Sequence, residues 1–247
     1  MRYQTQSRTS DFGYMDSITP GVKWLLITNI AIFVPYYLFA GSGFSEALNF
    51  LALSPRLVVF NFMIWQLGTY LFLHGSILHI LFNMLGLWMF GTILERDWGT
   101  RRFLKYYFIC GIGAGLCDVL LHAVRGSWNT STIGASGAIY GLLLAFGVLY
   151  PNMIVLMFFI IPIRAKYMVM IFGAIAFLNS FSVNRGVSDI AHLGGMVFGY
   201  AYLRFRFFNV DLNYFRREYE TWKMKRAKRK FEVYMKRRGT DDDRWTH

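Results

Sequence analysis

Apolar residues in this chain come in long blocks, separated by short charged or glycine-rich breaks. A block that stays apolar on every side reads as a membrane helix, since a soluble amphipathic helix keeps one polar face. Six helical spans are predicted: Trp24–Gly41, Thr69–Leu94, Phe103–Leu121, Ser136–Tyr150, Tyr167–Phe181 and Ile190–Phe208. Another apolar piece, Met153–Ile163, lies between the fourth and fifth. It is too short to cross a hydrocarbon core that needs about 20 helical residues, so it predicts an interfacial or hairpin-like segment. The expected fold class is an all-α polytopic membrane protein, a six-span helical bundle. Its expected divisions are a polar tail over residues 1–22, a six-span domain over 23–208 and a basic tail over 209–247.

Composition supports this reading over a soluble helical protein with an apolar core. Of 247 residues, 55% are hydrophobic and only 16% charged, against about 25% charged in soluble proteins. The first twenty residues are polar, and no cleavage pattern follows the first apolar run, so no cleavable signal peptide is expected and insertion falls to the first span. Cys110 and Cys117 lie seven apart in one apolar block. One helix cannot bring them to disulfide distance, and both read as small packing residues.

Charge orients the bundle. With the amino terminus inside, the inner segments hold Arg2, Arg8 and Lys23, then Arg96, Arg101, Arg102 and Lys105, then Arg164 and Lys166, and every basic residue from Arg204 onward. Of the 26 lysines and arginines only Arg56, Arg125 and Arg185 fall outside. By the positive-inside rule both termini are cytoplasmic, and the +12 net charge follows from topology. The run Lys223–Lys230 reads as a cytoplasmic extension attracted to anionic membrane lipid, at about 1 kcal/mol per basic residue near the surface. No nucleic-acid partner is expected, because no recognition fold accompanies the run. The stretch with Asp241–Asp243 is expected to be disordered.

Polar side chains inside spans are costly and therefore informative. His74, Ser76, His79 and Asn83 cluster at the start of the second span, with His79 and Asn83 on one helix face; taken alone they are also what interhelical hydrogen bonding looks like. Gly134-Ala135-Ser136-Gly137 opens the fourth span. Small residues there allow close backbone approach, and a helix amino terminus offers free N–H groups to an oxyanion. Taken alone, Ser136 is also what a capping serine looks like. In the sixth span His192, Gly195 and Gly199 share a face, and Gly195 and Gly199 form a small-xxx-small groove. If the facing helix is the fourth, with Gly137 and Gly141 four apart, His192 meets Ser136. All three polar sets fall at the outer ends of spans running inward, so they share one depth. The fourth span, at about 1.5 Å per residue, is shorter than the core, which recesses Ser136 below the outer surface and requires a water-filled cavity.

At these residues the sequence resembles the rhomboid intramembrane serine proteases. Gly134–Gly137 matches the family's Gly-x-Ser-Gly. Ala191, His192, Gly195 and Gly199 match Ala-His-x-x-Gly-x-x-x-Gly. His79 and Asn83 match His-x-x-x-Asn, with His74 as the upstream histidine. The resemblance covers roughly residues 22–208. It implies a six-helix rhomboid-like bundle and a serine–histidine dyad, Ser136 as nucleophile and His192 as base. It also implies an oxyanion site from Asn83, His79 and the Ser136 N–H, with Tyr140 packing on the imidazole, and no cofactor or metal. Asp189 reads as a cap or loop residue rather than a third member. Substrates would be single-span membrane proteins cut near the outer boundary after a small residue, and the setting a bacterial inner (plasma) membrane. Many members carry Trp-Arg in the first outer loop; here Trp65 is followed by Gln66, a departure that bears on local hydrogen bonding rather than on activity. A histidine-lined ion or metal transporter, and a non-proteolytic chaperone on the same fold, are the rival readings.

Overall fold

The computed structural model describes residues 18–157, 160–180, 186–207 and 223–224. The expected N-terminal tail up to residue 17 lies outside the described residues, as do Arg185, Asp241–Asp243 and nearly all of the basic tail. The fold is overwhelmingly helical. Among the described residues three helices are long and apolar enough to cross a membrane: α1 (Pro20–Leu38), the rod Ile77–Trp98, and α7 (Thr100–Arg125). The rod joins α5 (Ile77–Gly86) to α6 (Thr92–Trp98) through a π-helical turn, Leu87–Gly91. Two shorter apolar helices follow, α8 (Ser136–Leu149) and α9 (Ala165–Asn179), and then α10 (Gly186–Phe207). Between α1 and α5 the chain makes three short helices, α2 (Gly43–Asn49), α3 (Pro55–Phe60) and α4 (Gln66–Thr69), and a 3₁₀ turn at Tyr70–Phe72. All but the end of α10 belong to one compact unit, Met1–Leu203; a second unit runs from Arg204 to His247.

Several boundaries depart from the hydropathy reading, each for a local reason. The second span begins at Ile77 rather than Thr69. Leu73 is extended, and Ser76 caps α5 by accepting a hydrogen bond from the His79 N–H at 3.2 Å. His74 therefore lies in the loop ahead of the helix. The first span starts at Pro20, a residue preorganised for a first helical position, and ends before Gly41. The third extends to Arg125, where Gly126 takes the left-handed conformation (φ 68°) that closes a helix. Residues 153–163 form an antiparallel hairpin, β1 (Ile154–Met157) against β2 (Ile161–Arg164), with Val155 opposite Ile163.

Two anchors fix the end of the bundle where α1 begins. Glu95, buried in α6, accepts from the Gly21 and Val22 N–H groups at 2.7 and 2.8 Å and from the hydroxyls of Thr19 and Thr100 at 2.6 Å each. It thereby satisfies the free N–H groups at the start of α1 with a negative charge at the positive end of the helix dipole. The second anchor is a hydrogen bond from the Tyr150 hydroxyl to Asp97.

At the centre, α7 lies against α8. Cys110 packs on Gly141 and Ala114 on Gly137, and the Tyr106 hydroxyl donates to the Gly141 carbonyl at 2.7 Å. The α10 side of α7 is equally close: Phe198 covers Gly113, and Cys117 lies at Gly194. Neither cysteine is in a disulfide.

Candidate active site

Ser136 opens α8 in a way that leaves its hydroxyl free of the helix. Ala135, not Ser136, is the N-cap, and no side chain caps the helix. As the first helical residue, Ser136 has a backbone N–H with no acceptor inside the helix. Gly134 sets the approach with φ at 118°, a conformation that side chains rarely adopt, and its N–H donates to the Tyr70 carbonyl at 2.9 Å. A Cβ at Gly134 would lie 2.5 Å from His79 Nε2, so glycine also makes room for that ring.

The histidine arrives from the opposite helix. A Cβ on Gly195 would collide with the Gly137 carbonyl oxygen, and one on Gly141 would sit 3.2 Å from the Gly195 carbonyl. The backbones of α8 and α10 thus touch at their small residues, one turn from His192. This crossing places His192 Nε2 2.7 Å from Ser136 Oγ, a hydrogen-bond distance. Tyr140, one turn along α8 from Ser136, stacks on the imidazole with centroids 4.2 Å apart and planes 3° from parallel. Phe172 of α9 backs Tyr140 edge-on. The imidazole is held against rotation, and its side chain keeps 15% exposure, enough for water to reach it. Gly199 departs from the predicted groove: it faces α7, against the Tyr106 hydroxyl and Cys110 Sγ.

The polar group of the second helix lines the same end. His79 lies over Gly134, and His74, fully buried, meets it edge-on with centroids 5.0 Å apart. Asn83 is buried, and its Nδ2 donates to the His79 carbonyl at 2.9 Å. An amide nitrogen has two hydrogens, so this bond orients Asn83 and leaves one donor. Asp189 lies in the first turn of α10 rather than ahead of the helix, and its Oδ1 stands 3.6 Å from His192 Nδ1.

Comparison with known proteins gives the family. The family model described as the Rhomboid domain matches residues 61–208. The chain belongs to the rhomboid family. It is 28% identical over 198 residues to rhomboid protease GluP of Bacillus subtilis (strain 168), a match covering 80% of this chain and 37% of GluP. It is 29% identical over 194 residues to rhomboid protease AarA of Providencia stuartii, covering 71% and 68%. It is 29% identical over 190 residues to the mitochondrial RHOMBOID-like protein 12 of Arabidopsis thaliana, covering 70% and 54%. The matched region thus spans about half or less of the length of GluP and of the plant relative. As a rhomboid with several apolar helices of spanning length, the chain is an integral membrane protein of a family made up mostly of serine intramembrane proteases.

Sequence reasoning missed the parts of this rhomboid site that come from loops. Tyr70 joins three elements: its carbonyl holds Gly134, and its hydroxyl donates to the Gly111 carbonyl at 2.7 Å. Thr132 pairs with Leu53 through both backbone bonds, at 2.9 and 3.0 Å, and its hydroxyl donates to buried Asp118 at 3.0 Å. His122 completes this outer cluster, 2.8 Å from Ser127 Oγ and 3.2 Å from Thr130 Oγ1. Asp118 and His122, four apart in an apolar block, were the available signal. Gln66 is fully buried; its Oε1 accepts from the Ser54 N–H at 3.0 Å and its Nε2 donates to the Phe50 carbonyl at 2.9 Å. The segment between α1 and α5 is therefore hydrogen-bonded through Gln66.

Proposed function

We propose that this rhomboid is an intramembrane serine endopeptidase working through a Ser136–His192 dyad. The observation that carries the reading is the 2.7 Å approach of His192 Nε2 to an Oγ that caps nothing. In the first step the Ser136 Oγ–H proton passes to Nε2 while Oγ bonds the scissile carbonyl carbon, whose π electrons move to oxygen. The oxyanion is met by the Ser136 N–H, the free Asn83 amide hydrogen and His79. Collapse re-forms the carbonyl and breaks the C–N bond, with Nε2 returning its proton to the leaving amine. Water then attacks the acyl-enzyme by the same route. Tyr140 keeps the ring plane fixed, and His74 supports His79.

The substrate class is a single-span membrane protein, cut near the outer membrane boundary. Supporting this, the site sits at one end of α5, α8 and α10, and α5 exposes the apolar side chains Leu78, Leu81 and Phe82. Six spans are proposed, formed by α1, the α5–α6 rod, α7, α8, α9 and α10. Basic-residue asymmetry supports cytoplasmic termini, and a bacterial inner (plasma) membrane is the proposed setting. Among the described residues no group of three or more His, Cys, Asp or Glu side chains is placed to hold a metal ion. The test is cleavage of a single-span substrate in proteoliposomes by the parent protein and by Ser136→Ala. Cleavage that persists with Ser136→Ala would overturn the reading.

A further inference from the structure

The dyad uses one ring nitrogen of His192 and leaves the other to be explained. Nδ1 points away from Ser136, is buried, and has no hydrogen bond. Asp189, itself buried, is three residues earlier on the same helix face, with Oδ1 3.6 Å from Nδ1. For Nε2 to accept the serine proton, the neutral ring must carry its hydrogen on Nδ1. An imidazole with no partner at its buried Nδ1 has little reason to prefer that tautomer.

We propose that Asp189 is a positioning residue for His192: its carboxylate accepts the Nδ1–H, selects the tautomer in which Nε2 is the base, and steadies the imidazolium formed on proton transfer. The 3.6 Å separation is longer than a hydrogen bond, and sites of this kind tighten when substrate binds. The proton stays on the ring throughout; the carboxylate moves no proton of its own. The proposal rests on the dyad reading. It extends that reading to a third group, which the resemblance did not imply.

The competing role is electrostatic and local. Asp189 lies in the first turn of α10, where a carboxylate also satisfies helix N–H groups. Asparagine replaces aspartate well in that capacity but cannot supply the charge. Asp189→Asn therefore separates the two. With a single-span substrate in proteoliposomes, it is expected to lower kcat by about 10–100-fold with KM and the thermal midpoint unchanged, and to slow fluorophosphonate labelling of Ser136 by a similar factor. Asp189→Glu should recover part of the labelling rate. An Asp189→Asn protein that labels and turns over at the parental rate would overturn the proposal and leave a capping role. Labelling of the parent at Ser136 is the separate control: its absence would overturn the dyad reading itself.

Discussion

A serine at the head of an apolar helix can cap that helix or turn its hydroxyl outward, and the two arrangements make different demands. A capping Oγ accepts a hydrogen bond from an N–H two or three residues on; Ser76 does this for α5, while Ser136 does not for α8. Ser136→Ala should therefore leave the thermal midpoint in detergent within a degree or two of the parent, and Ser76→Ala should cost about 1 kcal/mol. Asn83 allows a similar discrimination. If its free amide hydrogen binds the oxyanion, Asn83→Ala should lower kcat by roughly 10–10³ with little change in KM, because that interaction forms only in the transition state. His79→Ala should act in the same sense but more mildly. A fall in yield and melting temperature with normal turnover would instead mark Asn83 as a packing residue. Ser136, His192, His79 and Asn83 were legible in the sequence because each is polar where polarity is costly. Tyr70 and Gln66 were not, since an aromatic and an amide in an outer loop are ordinary until their partners are known.

At the scale of elements, the α8–α10 contact is built from glycine against glycine, and the two glycines of the predicted groove are unequal. A methyl at Gly195 meets backbone, the Gly137 carbonyl, which cannot step aside without moving α8. A methyl at Gly199 meets side chains, the Tyr106 hydroxyl and Cys110 Sγ, which have some freedom. Both changes should overpack the bundle, by about 1–3 kcal/mol, with Gly195→Ala the more costly and the more damaging to activity. Thermal unfolding in one detergent checks the order; equal midpoints would contradict it. Glu95 is the corresponding anchor at the start of α1. Glu95→Ala removes the acceptor of four hydrogen bonds, three at the start of α1 and one from Thr100 of α7, and should cost at least about 3 kcal/mol. Helix boundaries were only partly legible. Leu71 and Leu73 extended the predicted second span because they are apolar, yet both are fully buried within the protein and belong to the approach to the helix. Ile154–Met157, four consecutive apolar residues, lacks the alternation that would have marked it as a strand.

For the whole molecule, the surface says what the composition said. Leu78, Leu81, Phe82, Leu120, Val124, Met170, Leu178 and Val197 are exposed on long helices, an arrangement that lipid stabilises and water does not. Phe60, Phe62, Ile64 and Trp65 extend that apolar surface into the first outer loop. The proposed orientation gives a direct expectation. With Cys110 and Cys117 replaced by alanine, a membrane-impermeant maleimide should label Phe62→Cys in intact cells and reach Asn152→Cys only after lysis; the reverse pattern would invert the bundle. The proposed orientation rests on basic-residue counts alone, because it depends on where charge lies and not on side-chain contacts. The approach of His192 to Ser136 was legible because two small-residue motifs, 56 positions apart, predict one close helix crossing. The central claim, that this crossing activates Ser136, is tested most directly by a fluorophosphonate probe with the modified residue identified by mass spectrometry. The account predicts a single adduct on Ser136 in the parent protein and none with His192→Ala at the same protein concentration and exposure. Equal labelling with and without the His192 imidazole, or an adduct on another serine, would contradict it.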